Sequence, residues 1–429
     1  MRYIVFSGGK MERYIIAGKK RLEGKVKISG AKNSVLPLIA ASVMNNGVTH
    51  IHNCPKIRDV LVMAEIVGRL GGKFFFSGDT LTLFTENIRS WILPEDLTGE
   101  IRASVFMTGA LLSRFKAAET AKPGGCNIGK RPIDIHIDAL RSLGVIVNEG
   151  ERVSFNGKNA KGGKVSLRYP SVGATENAIM ASVTLSGTTV IENCAEEPEI
   201  EDLQNYINLL GGKVRGAGTR VITVEGVDKI GGKEIEFIAR PDRIEAGTFL
   251  LCGAATGGTI EFDGLILKES LPVCKILARN ACKIYAKDDK IYCVEFYAPN
   301  RGFGKITAMP YPFFPTDLQP QLTAAACLSK GLTVVEDRVF PSRFSYAAEL
   351  RKMGAELRVL ENVCIAEGRN LHGAVVSAGD LRGGAALCIA ALGAEGTSCV
   401  LNASHIERGY ENFDLKLRAL GADIKKTDL

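Results

Sequence analysis

An α/β fold of two similar domains, each assembled from three copies of one repeating unit, is what the 429-residue sequence predicts. Three observations carry this. Helical runs stop at small residues in a regular series: Leu70-Gly71, Leu143-Gly144, Leu210-Gly211, Asn280-Ala281, Met353-Gly354 and Leu420-Gly421. The stops are 73, 67, 70, 73 and 67 residues apart, too even for chance. Finally, each unit offers one helix that is apolar all round, one amphipathic helix and several strands.

Glycine suits a helix stop because it adopts the left-handed conformation without a Cβ clash. The fourth stop has Ala281 in that place and is the weakest copy. Upstream of the stops, apolar helices are predicted over Leu36 to Ala41, Ala178 to Leu185, Ala324 to Leu328 and Ala385 to Leu392, each followed by glycine and a β-branched strand. A helix apolar on every face has to be buried. The run from Tyr346 to Met353 is amphipathic and belongs on a surface. Units that cannot bury their faces alone group as three plus three, leaving a cleft between two bodies, where ligands bind.

Composition narrows the class. With 46% hydrophobic and 24% charged residues the chain has an ordinary globular balance, and no run reaches the ~18 apolar residues that a membrane span needs. The first ten residues lack the apolar core and cleavage site of a signal peptide, so a cytoplasmic protein is expected. Of eleven cysteines, most sit in apolar runs, such as Cys252, Cys327 and Cys388, and none forms a C-x-x-C pair, which points to reduced thiols. The net charge of +7 is spread among acids rather than gathered in a block, so it favours a polyanionic small molecule over nucleic acid. Five scattered histidines give no metal-ligand spacing, and no nicotinamide or flavin fingerprint occurs, so neither metal nor organic cofactor is expected.

Four segments depart from the repeat. Ser29-Gly30-Ala31-Lys32-Asn33-Ser34 opens a buried helix with a lysine, which opposes the helix dipole and instead suits an anion site. Lys122-Pro123-Gly124-Gly125-Cys126-Asn127-Ile128-Gly129-Lys130-Arg131-Pro132 is a glycine-rich loop. Its cysteine is flanked by cations, which lower a thiol's pKa and favour a reactive thiolate or a poised proton donor. The Gly124–Lys130 spacing resembles a P-loop, but Arg131-Pro132 follows in place of Ser or Thr and a helix, which excludes that reading. Met309-Pro310-Tyr311-Pro312-Phe313-Phe314-Pro315-Thr316-Asp317 leads into another buried helix, where Asp317 can serve as a helix cap or as a general base in the cleft. His405-Ile406-Glu407-Arg408-Gly409-Tyr410 carries an arginine, the side chain suited to phosphate and carboxylate, as do Arg343 and Arg382 in earlier copies.

Together with Arg102-Ala103-Ser104, Ser171-Val172-Gly173-Ala174-Thr175, Pro241-Asp242-Arg243-Ile244-Glu245 and Asp380-Leu381-Arg382, these segments resemble the UDP-N-acetylglucosamine 1-carboxyvinyltransferase family over Met11 to Asp423. The resemblance implies the enolpyruvyl transferase fold. A first inside-out α/β domain would run over 32–240 and carry the cysteine loop at about 121–132; a second would combine 1–31 with 241–429. It implies transfer of the enolpyruvyl group of phosphoenolpyruvate to the 3-hydroxyl of UDP-N-acetylglucosamine, the first committed step of peptidoglycan synthesis, by a monomer or weak oligomer.

By the same resemblance, Cys126 is the proton donor that can form a covalent adduct, and Asp317 is the general base. Lys32, Asn33, Arg131 and Arg408 hold phosphoenolpyruvate. Arg102, the stretch Arg131, Pro132, Ile133, Asp134 and Ile135, then Ser171, Val172, Gly173, Asp317 and Val339, contact the UDP-sugar; Asp242, Arg343 and Arg382 support them. Three departures from the family pattern stand out: ten residues ahead of Met11, Tyr169-Pro170 where some members carry a lysine, and Glu407 in place of the usual aspartate. The rival readings are the sister enzyme acting on shikimate 3-phosphate, whose first motif reads Gly-Asp-Lys-Ser, and a non-catalytic paralogue that only binds the UDP-sugar.

Overall fold

The structure, a computed structural model, describes residues 12–121, 124, 133–279, 281–288, 291–297 and 301–428. Six buried helices organise it: Lys32–Ser42, Phe106–Phe115, Val172–Ser182, Arg243–Thr256, Gln319–Cys327 and Leu381–Gly393. Every residue of Leu381–Gly393 is buried, as its run of small and aliphatic residues after Arg382 requires. The small residues let helices approach closely, while each fully buried Leu or Ile contributes roughly 1.5–3 kcal/mol. All the buried helices for which the sequence predicts bounds begin earlier than the apolar run, because their first turns carry the polar residues of the cleft.

Around the helices stand six sheets, five of four strands and one of three, among the described residues. Each has an antiparallel pair, as between Lys73–Ser77 and Thr80–Phe84. Five of them also have a parallel neighbour, as between Val48–His52 and Glu234–Ile238. The glycine stops behave as predicted: φ is +111° at Gly71, +83° at Gly144, +102° at Gly211, +88° at Gly354 and +90° at Gly421. At the fourth stop Asn280 lies outside the described residues, and the Ala281 N–H bonds Leu277 O at 2.7 Å.

Two hydrophobic cores result. One gathers Val35 to Ala239; the other joins Tyr14 to Ile28 with Ile244 to Ile424. The N-terminal strands belong to the second body. Glu12–Ala17 lies between Thr397–Leu401 and Asp423–Asp428, and Leu22–Lys27 pairs with Gly258–Asp263. The chain therefore passes between the bodies twice, and the two passages run side by side. Ala31 N–H bonds Arg240 O at 2.7 Å, and Asp242 N–H bonds Ser29 O at 2.8 Å. Gly30 is obligatory here, since a Cβ would lie 1.7 Å from Asn53 O.

Candidate active site

A cleft of about 540 Å³ opens beside these passages, walled by Asn33, Arg102, Asp134, Ser171–Gly173 and Glu176 on one side and by Arg243, Tyr311, Asp317 and Val339 on the other. The starts of the Val172–Ser182 and Arg243–Thr256 helices, and the residues leading into Phe106–Phe115 and Gln319–Cys327, line it, which turns positive helix ends towards it.

The Val172–Ser182 helix is the clearest case. Ser171 caps it, its hydroxyl accepting from Ala174 N at 3.4 Å, while Val172 and Gly173 form its first turn at the cleft wall. A helix start of this kind binds phosphate. Gly173 is held between two rings: a Cβ would lie 2.9 Å from both His136 Cε1 and Phe106 Cε1. Gly173→Ala should therefore cost about 1–3 kcal/mol in urea unfolding through forced repacking. An unchanged midpoint would show that the rings yield freely. Asp134 takes a close ion pair from Arg168, whose Nη1 also reaches Asp138 at 2.7 Å.

Across the cleft, Asp317 lies in the short turn before Gln319–Cys327 and does not cap it. Its two oxygens face two arginines, Arg343 Nη1 at 2.7 Å and Arg382 Nη2 at 3.1 Å. Burial alone would raise the carboxyl's pKa, but these guanidinium groups hold it well below the usual carboxylate range. Arg382, 2% exposed, also lies over the Tyr410 ring at 5.1 Å. Asp317 is thus an anion at the cleft wall that can accept further hydrogen bonds. Val339 N–H is pinned by Asp337 Oδ1 at 2.9 Å.

A second ionic cluster joins the two bodies. Lys32 is no solvated lysine: its Nζ lies 2.7 Å from Asp59 Oδ2, while Arg408 Nε, from the other body, lies 3.0 Å from Asp59 Oδ1. Arg408 Nη2 also donates to Glu100 O at 3.2 Å. Asp59 is 5% exposed; burial would raise its pKa, but Lys32 and Arg408 bring it below the ordinary value. One buried carboxylate therefore gathers two cations that the sequence places 376 residues apart (408 − 32). Asp242 supports the same region, capping Arg243–Thr256 through Ile244 N and Glu245 N, with Lys32 N at 3.4 Å.

The inner end of the cleft is acidic. Glu176, Glu197 and Glu199 line it against Arg243, whose Nε bonds Glu199 Oε1 at 2.9 Å and whose guanidinium lies 5.3 Å from the Tyr311 ring centre. Burial lifts Glu197 to about 7 and Glu176 well above its ordinary value.

Of the residues singled out in the sequence, the fold brings Asn33, Arg102, Asp134, Ile135, Ser171, Val172, Gly173, Asp317 and Val339 to one cleft. Lys32 and Arg408 meet on Asp59. Arg343 and Arg382 do so on Asp317. Ile133 stands just before the Asp134–Ser142 helix. Cys126, Arg131 and Pro132 lie outside the described residues. Glu407, the departure beside Arg408, serves the fold: its Oε1 takes Tyr14 Oη at 3.0 Å and Lys426 Nζ at 2.6 Å. The sequence reading missed Asp59, Glu176 and Arg243. An aspartate in a first helical turn already has a dipole explanation, Arg243 stood in the 241–245 motif without a role of its own, and Glu176 sits inside a helical run with nothing to mark it.

Comparison with known proteins fits this geometry. The sequence profile of EPSP synthase (3-phosphoshikimate 1-carboxyvinyltransferase) matches residues 16–417. A UDP-N-acetylglucosamine 1-carboxyvinyltransferase 2 of Caldanaerobacter subterraneus subsp. tengcongensis is 42% identical over 416 residues, covering 96% of this chain and 99% of the relative. The UDP-N-acetylglucosamine 1-carboxyvinyltransferase of Chlorobium limicola is 40% identical over 422 residues, covering 97% and 98%. The chain belongs to the UDP-N-acetylglucosamine 1-carboxyvinyltransferases of the EPSP synthase family. The resemblance read from the motifs holds, and so does the fold. The enolpyruvyl transferase NikO from Streptomyces tendae superposes with a TM-score of 0.88 at 24% identity over 98% of this chain and 100% of that chain. EPSP synthase from Acinetobacter baumannii gives 0.72 at 18% identity over 97% and 100%.

Proposed function

We propose that this protein transfers the enolpyruvyl group of phosphoenolpyruvate to the 3-hydroxyl of UDP-N-acetylglucosamine and releases phosphate, as the first committed step of peptidoglycan synthesis. What carries the reading is identity of about two residues in five with carboxyvinyltransferases of that name across nearly the whole chain. The cleft supports it, because a phosphate-binding helix start and an arginine-held carboxylate face each other there.

In the addition, Cys126 protonates the methylene carbon of the donor while the sugar oxygen bonds to C2, giving a tetrahedral ketal. In the elimination, the same carbon returns its proton, the C2–phosphate oxygen bond breaks and phosphate departs. Asp317, as general base, takes the proton of the attacking hydroxyl while the C2–oxygen bond forms, and passes it on to the departing phosphate, which leaves as hydrogen phosphate. Lys32, Arg131 and Arg408, with Asn33, hold the donor's phosphate and carboxylate, offsetting the charge that builds up there. Arg102, Arg131 to Ile135, Ser171–Gly173 and Val339 hold the UDP-sugar. The chemistry calls on no metal or organic cofactor, since C2 of the donor's enol phosphate becomes electrophilic once its methylene carbon is protonated.

We place the enzyme in the cytoplasm, as a monomer or weak oligomer, with no nucleic acid or membrane partner. Among the described residues no helix is long and apolar enough to cross a membrane, and the ten described cysteines are free.

The deciding assay is acceptor-dependent phosphate release. Turnover with UDP-N-acetylglucosamine is expected; turnover with shikimate 3-phosphate alone, or UDP-sugar binding with no release, would overturn the reading. The thiol has its own test. Fosfomycin with UDP-N-acetylglucosamine should add one inhibitor mass to the intact protein, and the adduct should be lost in Cys126→Asp, which keeps a proton donor. An unchanged wild-type mass removes Cys126 from its role.

A further inference from the structure

The transfer chemistry leaves the acidic inner end of the cleft unused. Glu176 is 0% exposed, and neither of its carboxylate oxygens has a hydrogen-bond partner. The Tyr169 hydroxyl in the same wall is also buried and without a partner, as is Glu199 Oε2. Buried polar groups are nearly always paired, so a carboxyl group with both oxygens unpaired at the wall of a cleft marks the place of a missing hydrogen-bond partner.

The chemistry of that partner follows from the surroundings. No group of carboxylates, histidines and cysteines among the described residues is arranged to hold a metal ion. An anion is repelled, because Glu176, Glu197 and Glu199 stand together with Arg243 already paired to Glu199. What fits is an uncharged group that carries O–H or N–H. Burial beside Glu199 and Glu197 also pushes Glu176 towards its neutral acid. In that form it both donates and accepts, as a hydroxyl does.

Position along the helix selects which part of the acceptor this is. Val172 and Glu176 are four apart and therefore stand on one helix face, roughly 5–6 Å from each other. A diphosphate on the N–H groups of Val172 and Gly173 would leave its sugar to reach Glu176, one helical turn onward, and Asp317, both of which line the same cleft. On the acceptor reading given above, we propose that Glu176 is a sugar-recognition residue, its carboxyl group hydrogen-bonding a non-reacting hydroxyl or the amide N–H of the N-acetylglucosamine, with Tyr169 closing the same end.

Calorimetric titration of the full-length protein with UDP-N-acetylglucosamine and with UDP tests this. Glu176→Leu should weaken UDP-N-acetylglucosamine by about 10- to 100-fold, the range for a hydrogen bond to a carboxyl group. UDP should bind within about twofold of wild type, because its contacts lie at the helix start. Glu176→Gln, which keeps shape and hydrogen-bonding capacity, should stay within about threefold. Equal losses for UDP and the UDP-sugar, or no loss, overturn the proposal. Should the leucine variant not fold, deoxy analogues decide on the wild-type protein. At least one UDP-sugar lacking a non-reacting donor group must bind about tenfold more weakly; if none does, the idea fails. A wild-type protein that binds no UDP-N-acetylglucosamine would instead remove the acceptor reading itself.

Discussion

Asp317→Ala should reduce phosphate release on the order of 10³-fold, within the range for loss of a hydroxyl-activating carboxylate. It should also destabilise the protein, because Arg343 and Arg382, 5% and 2% exposed, lose the anion that both were built around. Stranding buried charges costs about 3–5 kcal/mol. Asp317→Asn, which keeps one acceptor oxygen but turns an amide NH2 towards the other arginine, should recover only part of that stability and little of the rate. The pH dependence has a definite sign. The carboxyl's folded pKa lies below its ordinary 3.8, so its contribution is present above that value and is lost as pH falls towards the folded one. The alanine variant should therefore show a flatter stability curve below about pH 4 in urea titrations. An asparagine variant that turns over within tenfold of wild type would take Asp317 out of the chemistry.

The second large effect is expected at Asp59. In Asp59→Asn, Lys32 and Arg408 lose the shared charge that draws them together from opposite bodies. The KM for phosphoenolpyruvate should rise by about 10- to 100-fold, the scale of a charge-assisted hydrogen bond. The affinity for UDP-N-acetylglucosamine, which on the proposed reading meets the Ser171–Gly173 turn instead, should stay within about threefold. Steady-state kinetics varying each substrate separates the two. A fall in unfolding midpoint with both constants unchanged would reduce Asp59 to a strut.

The architecture was legible because it repeats. Glycine at a helix stop answers a local need for positive φ, and five of the six stops show it. Asp317, Arg343, Arg382 and Arg408 were legible as residue types suited to anions and hydroxyls, although their pairing was not. Whether Asp317 capped a helix or faced the cleft depended on residues 26 and 65 positions further on, information that no local pattern carries. The same holds for Asp59, whose dipole-favourable place hid its contact with Arg408. Glu176 was invisible for another reason. It lies within Ala174-Thr175-Glu176-Asn177-Ala178, and only the folded surroundings reveal that a glutamate there is enclosed and unpaired.

The return of the first strands to the second body has a consequence for synthesis on the ribosome. By the time Glu234–Ile238 emerges, every strand of the three sheets between Val48 and Ile238 exists, so that body can mature while translation continues. Leu22–Lys27 must meanwhile wait for Gly258–Asp263, and Glu12–Ala17 for Thr397–Leu401 and finally Asp423–Asp428. Exposed strand edges are sticky, and these two persist through most of elongation. Charged residues along Leu22–Lys27, namely Glu23, Lys25 and Lys27, keep that waiting edge soluble until its partner arrives.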